Sequence, residues 1–150
     1  MQPSAADIYS YEKDAEATYA YFLDHVNKRT MFFHDLREKL DYLFENDYYE
    51  REVFEQYTFE DVKKAYQQAY AKKFRFPSFM SAFKFYNDYA LTTDDGECIL
   101  ERYEDRIVIN ALFFGQGDAA KAFEYIDLLI EQEYQPATPT FLNVGRKRRG

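Results

Sequence analysis

The side chains best equipped for chemistry in this sequence are few: His25, His34 and Cys98, with scattered carboxylates around them. His25 and His34 lie nine residues apart, and Glu38 follows His34 by one helical turn. A metal centre needs three or four converging ligands, and this spacing matches no recognised ligand pattern. Both histidines therefore read as surface or capping residues, and no metal is expected. Cys98 sits beside Glu97 in an acidic stretch with no histidine near it, surroundings that disfavour a reactive thiolate, so it reads as a packing residue. The sequence holds no phosphate-cradling glycine loop, no serine-centred elbow and no paired acidic motif of a hydrolase.

One cluster points further toward binding. The run Asn27-Lys28-Arg29-Thr30-Met31-Phe32-Phe33-His34 falls at a junction between two expected helices, where free N–H groups, two cations and two adjacent aromatic rings coincide. Such a junction can hold a nucleotide, its base stacked on a ring and its phosphate at Lys28 or Arg29. The competing reading is a hydrophobic staple with ordinary surface charges.

These residues must be positioned by helices, because apolar spacing of three and four recurs along most of the chain. Ala15, Tyr19, Phe22, Leu23 and Val26 share one face of a first helix, and Leu36, Leu40, Leu43 and Phe44 one face of a second. A third opens at Thr58, with Asp61 in a near capping box, and buries Val62, Ala65, Tyr66, Ala69 and Tyr70. Pro77 breaks the pattern. Ser78 can then cap a fourth helix bearing Phe79, Ala82, Phe83, Tyr86 and Ala90, ended by the turn Thr92-Thr93-Asp94-Asp95-Gly96. A fifth holds Leu100, Tyr103, Ile107, Ala111 and Phe114, although 107–114 is apolar enough to pass for a strand. A sixth starts at Asp118 and carries Ala122, Phe123, Ile126, Leu129 and Ile130. After Glu133 the periodicity stops, and Pro136, Thr138, Pro139 and Thr140 favour an extended segment.

Composition supports a mainly α fold with one modest core. The 150 residues are 47% apolar and 31% charged, with 20% aromatics, five Gly and four Pro, too few for a turn-rich β chain. The net charge of −8 argues against a nucleic-acid partner. The cations are nevertheless uneven: Lys63, Lys64, Lys72, Lys73, Arg75 and Lys84 fall in a stretch without acids, and Arg146-Lys147-Arg148-Arg149 close the sequence. The longest uncharged stretch, Tyr134 to Gly145, is twelve residues, so no membrane span is expected. With one cysteine and no signal-like start, a cytoplasmic protein is the expectation.

Three longer blocks carry a resemblance. Lys72-Lys73-Phe74-Arg75-Phe76-Pro77-Ser78-Phe79-Met80-Ser81-Ala82-Phe83-Lys84-Phe85-Tyr86, then Leu100-Glu101-Arg102-Tyr103-Glu104-Asp105-Arg106, then Gln135-Pro136-Ala137-Thr138-Pro139-Thr140-Phe141-Leu142-Asn143 occur in that order. Together with Tyr21-Phe22-Leu23-Asp24-His25 and Phe32-Phe33-His34, this arrangement resembles the amino-terminal part of the large, catalytic subunit of class Ib ribonucleoside-diphosphate reductase. The likeness covers nearly everything after about residue 13.

That resemblance implies a thiyl-radical reduction of ribonucleoside diphosphates in a ten-stranded α/β barrel, fed by a small radical-generating, metal-containing subunit. It divides the chain into a helical region at 1–77, a shortened cone, and a helical domain with the lead-in to the barrel at 78–150. The family's radical and redox cysteines match positions beyond Gly150; Cys98 matches none of them, and Val144 stands where some members carry a cysteine outside the redox set. Residues 1–150 are thus expected to be inactive alone and to hold no catalytic residue, metal or cofactor. The partners implied are the remainder of the large subunit and the small subunit, with a homodimer also allowed.

Within the likeness, Thr138 takes the role of a substrate contact, and the shortened cone gives Asn27, Lys28, Arg29, Phe32, Phe33, His34 and Lys39 a regulatory nucleotide. A full cone is not expected, since too few residues precede Phe74. The alternative is a stand-alone acidic helical interaction module without catalysis. Residues 134–150 are expected to be poorly ordered without a partner strand.

Overall fold

Helix-forming periodicity translates into helices throughout the residues that the computed structural model describes, 5–131 and 145–146, with side chains described from residue 13. Two units divide them: one combines 1–31 with 75–100, the other 32–74 with 101–150. Each unit is therefore assembled from both halves of the sequence.

In the first unit, α1 (Ala5–Tyr21) continues through a π-helical turn at Phe22–Val26 into the short α2 (Asn27–Arg29). A second π-helical turn, Phe85–Tyr89, follows the six residues of α6 (Phe79–Lys84). Each wide turn shows its i to i+5 bond: Asn27 N–H donates to the Phe22 carbonyl, and Ala90 N–H to that of Phe85 at 2.7 Å. The extra residue per turn rotates the face that a 3.6-residue period assigns. Phe85 in the second wide turn is fully buried and Leu23 in the first is 45% exposed; Phe83, in the α-helical part before the second turn, is 37% exposed, so Leu23 and Phe83 leave the expected apolar faces. Ala15 and Tyr19 are exposed as well.

Aromatic edges meet where the two π turns pack, Phe22 lying 5.4 Å from Tyr86 and Phe76 6.0 Å from Phe85. Ser78 caps α6 by accepting from Ser81 N–H at 3.1 Å while Ser78 N–H donates to the Ser81 hydroxyl. Asp14 of α1 adds its carboxylate to the same end, where Phe79 N–H donates to both oxygens at 3.0 and 3.1 Å. A negative group at the positive end of a helix is favourable twice over, through hydrogen bonding and through the dipole. The expected turn closes at Gly96 (φ 77°), with Thr92 bridged antiparallel and Thr30 parallel to Ile99.

The second unit holds α3 (Leu36–Glu45), α4 (Arg51–Glu55), α5 (Phe59–Ala71), α7 (Tyr103–Gly115) and α8 (Ala119–Glu131). Thr58 caps α5 as expected, accepting from Asp61 N–H at 3.2 Å. α4 is short and carries just Val53 and Phe54 into the core, too few positions for a recognisable period. The strand-like run 107–114 is the centre of α7. Ile107, Val108, Ile109, Ala111 and Leu112 are all buried, because α4, α5 and α8 surround the helix and leave it little polar face to declare. Each of the Ile, Val and Leu side chains contributes roughly 1.5–3 kcal/mol on burial. Leu100 lies before the helix, in the first unit, its N–H donating to the Leu91 carbonyl, and Phe114 is 44% exposed; neither belongs to the expected core stripe.

The α5–α8 seam is polar as well as apolar. Gln68 donates to the Phe123 carbonyl at 2.9 Å and to Asp127 at 2.8 Å, and Lys72 pairs with Asp127 at 3.1 Å. Tyr57 donates to the Leu112 carbonyl at 2.6 Å, directly over Gly115, where a Cβ would meet that hydroxyl. Of the segment 134–150 expected to lack order, 134–144 and 147–150 lie outside the described residues, whereas Gly145 and Arg146 are held firmly in the second unit by a partner described below.

Candidate functional site

The cluster expected at 27–34 is divided between the two units. In the first, Asn27 and Lys28 are exposed on α2, while Arg29 is committed to the hairpin, its Nη2 donating to the Gly96 carbonyl at 2.7 Å. Ile99 N–H donates back to the Arg29 carbonyl at 2.8 Å. In the second, Phe32 is 87% exposed and Phe33 is half-buried, 5.4 Å from the Tyr42 ring. His34 is a surface residue: its side chain is exposed and only its backbone N–H takes part, donating to Glu38 at 2.7 Å, while Asp35 caps α3 by accepting from Glu38 N–H at 2.9 Å. The Glu38 N–H bond holds Asp35 below the usual carboxylate range.

Lys39 points inward. Its Nζ lies 2.8 Å from Asp105, whose side chain is 1% exposed. A groove along α3 shows Phe33 and Tyr42 as its aromatic walls, with Asp35, Glu38, Asp41 and Glu45 against the single cation Arg37. That field suits a cationic group better than a phosphate. Thr138 lies outside the described residues.

A second constellation went unforeseen in the sequence, and it is the most polar part of the protein interior. Glu101 is wholly buried, yet its Oε2 accepts from Tyr49 Oη at 2.5 Å and from Arg106 Nε at 2.8 Å, while its Oε1 accepts from Arg146 Nη2 at 2.6 Å. Burial pushes this carboxyl up, but the charges of Arg106 and Arg146 and the bonds from Arg106 and Tyr49 outweigh it and hold the group down at about 2. The Tyr49 phenol is driven far upward by burial and by Glu101, so it remains a neutral donor. Four residues later Asp105 accepts from Lys39, from Tyr70 Oη at 2.9 Å and from Arg102 N–H at 2.8 Å. Helical spacing sets this arrangement: Asp105 and Arg106 occupy the first turn of α7, directly after Glu101.

The signal for it was present in Glu101-Arg102-Tyr103-Glu104-Asp105-Arg106, a charged run entering an apolar one, but charged residues are ordinarily solvated and their partners Tyr49 and Arg146 are remote in sequence. With both carboxylates saturated by donors, the constellation stores charge and fixes geometry. Among the described residues, no group of three or more His, Cys, Asp or Glu side chains is placed to hold a metal ion, and no helix is long and apolar enough to cross a membrane.

Two family models tile the chain: ribonucleotide reductase N-terminal over residues 1–74, and ribonucleotide reductase, all-alpha domain, over residues 75–149. The chain belongs to the ribonucleotide reductase family. Its helical second half is thus the family's all-alpha domain, and the buried Glu101 constellation lies mainly within it. Similarity to individual reductases is high. The chain is 66% identical over 142 residues, 95% of its length, to the ribonucleoside-diphosphate reductase subunit alpha of Bacillus subtilis, of which it covers 20%. It is 64% identical, with 95% of its length and 13% of the relative covered, to the NrdEB subunit alpha of Bacillus phage SPbeta. To the subunit alpha of Mycoplasma pneumoniae the identity is 48%, covering 93% of the chain and 19% of that protein. The chain therefore spans a fifth or less of the curated reductases it matches here.

Proposed function

We propose that this chain serves as the amino-terminal region of a class Ib ribonucleoside-diphosphate reductase large subunit. In that setting it supports the reduction of ribonucleoside diphosphates to deoxyribonucleotides for DNA synthesis in the cytoplasm. The observation that carries the reading is the tiling of residues 1–149 by two consecutive reductase models, together with relatives named for this activity. The three sequence blocks support the class Ib assignment.

The radical chemistry belongs to the remainder of the large subunit, with the radical supplied by a small metal-containing subunit. The contribution of residues 1–150 is scaffold and substrate positioning: Thr138, in a proline-stiffened segment, offers a hydroxyl to the bound nucleotide at low entropic cost. The resemblance to a shortened cone assigns a regulatory nucleotide to Asn27, Lys28, Arg29, Phe32, Phe33, His34 and Lys39; Arg29 and Lys39 would have to exchange their bonds to the Gly96 carbonyl and to Asp105 to serve it.

The test is diphosphate reduction by the chain alone and after addition of the remainder of a large subunit with the small subunit. No turnover alone and turnover on completion support the reading. Continued inactivity after demonstrated association would favour an interaction module instead.

A further inference from the structure

From Asp105 to Gly115 every residue of α7 is buried except two, Phe113 and Phe114. A lone exposed ring on a protein surface is ordinary, whereas a contiguous apolar patch calls for a partner. Here the patch is contiguous. Phe113 is 46% and Phe114 44% exposed, with ring centroids 5.6 Å apart. The Phe114 ring lies 5.9 Å from that of Tyr125 on α8, and Leu128, one turn further along α8, is 54% exposed. Small residues let the two helices approach this closely: a Cβ on Gly115 would stand 3.1 Å from that of Ala122. Asp127, next to Leu128, is turned away to Gln68 and Lys72 in the α5 seam. Exposed Glu124 and Lys121, one and two turns before Leu128, give the face a polar rim.

The Tyr125 hydroxyl is the one polar group among these four side chains, so the face suits an apolar protein surface and not a phosphate-bearing ligand. Its size narrows the choice of protein surface. Three side chains about half exposed make roughly 300 Å² of apolar area, far below the about 800 Å² per partner of a stable complex between free proteins. A net charge of −8 also opposes a second copy. A surface on the same polypeptide meets neither obstacle, because linkage supplies an effective concentration in the millimolar range. The subunit alpha of Bacillus subtilis has such a surface available: this chain covers 20% of it, and the other four-fifths lies outside the match.

We infer that the face formed by Phe113, Phe114, Tyr125 and Leu128 docks on the remainder of the large subunit, against aliphatic or aromatic side chains there. This rests on the reading above that the chain is the amino-terminal region of such a subunit.

The experiment is N-ethylmaleimide labelling of Leu128→Cys and Phe113→Cys, each in this chain alone and in a complete large subunit carrying this region, read on the substituted peptide by mass spectrometry and scaled to the rate in denaturing urea. In this chain alone both thiols should label within about threefold of the urea rate. In a complete subunit that reduces diphosphate with its small subunit, both should label at least tenfold more slowly than in urea. Rapid labelling in the active complete subunit would overturn the inference and leave the reading of function standing. Protection that grows with the concentration of this chain alone, or that appears in the complete subunit only when the small subunit is added, would give the face to an intermolecular partner and overturn it as well. Should Leu128→Cys fail to fold, Phe113→Cys decides by the same criterion. A complete, unsubstituted subunit that reduces no diphosphate would overturn the reading of function and this inference with it.

Discussion

Arg146 reaches 45 residues back in sequence to place its Nη2 2.6 Å from Oε1 of Glu101, a carboxylate with no exposure to solvent. The pair gathers a remote segment onto the start of α7, and its energetics follow from burial. Removing one partner strands the other, a loss of about 3–5 kcal/mol for buried pairs. Glu101→Gln should therefore lower the stability of the second unit by that order, read as a reduced urea midpoint. A change under about 0.5 kcal/mol would place the pair among ordinary surface contacts.

The acid response has a definite sign. Glu101 is held at about 2 in the fold against an ordinary value of 4.5, so its stabilising contribution is complete above pH 4.5 and is lost as pH falls through 2. Urea titrations between pH 5 and pH 2 should show the parent losing stability across that window. Glu101→Gln should show a shallower loss; equal slopes would mean that other carboxylates control the acid limb.

At Gly145 the backbone, not charge, is decisive. Its φ of 75° disfavours any L side chain, and a methyl group would strike Ile109. Gly145→Ala should cost about 1–3 kcal/mol, with faster amide exchange at Glu50, whose N–H donates to the Gly145 carbonyl. Parent-like exchange at Glu50 would argue that 145–146 is not seated as described.

The first unit is tested at the Asp14 cap. Asp14→Ala removes both acceptors from Phe79 N–H while leaving the Ser78–Ser81 box in place. A loss of about 1 kcal/mol is expected, and Asp14→Asn should recover part of it. Thermal unfolding of the three proteins checks this, and identical melting of parent and Asp14→Ala would contradict it.

What could be read from sequence followed the range of the interactions involved. Caps at Thr58 and Ser78 and the stripe Val62, Ala65, Tyr66 and Ala69 depend on neighbours within a turn, and they stand where the spacing put them. The outward rotation of Leu23 was hidden because a π-helical turn has no local signature in a 3.6-residue pattern. α7 was ambiguous because a helix enclosed on most sides carries no amphipathic period. Lys39 and Arg29 read as available phosphate ligands, since their bonds to Asp105 and the Gly96 carbonyl span 66 and 67 residues. Glu101 was hidden for the same reason: a charge looks solvated until its distant partners are known.

The central claim, that this chain works as the amino-terminal region of a reductase large subunit, is tested most directly by exchange. The matching region of the Bacillus subtilis subunit alpha, to which the chain is 66% identical, is replaced by residues of this chain, and diphosphate reduction is measured with the small subunit. The account predicts turnover within about an order of magnitude of the parent enzyme, since helical packing and the Glu101 anchor travel with the replaced region. A folded chimera that binds the small subunit yet reduces no diphosphate would contradict it.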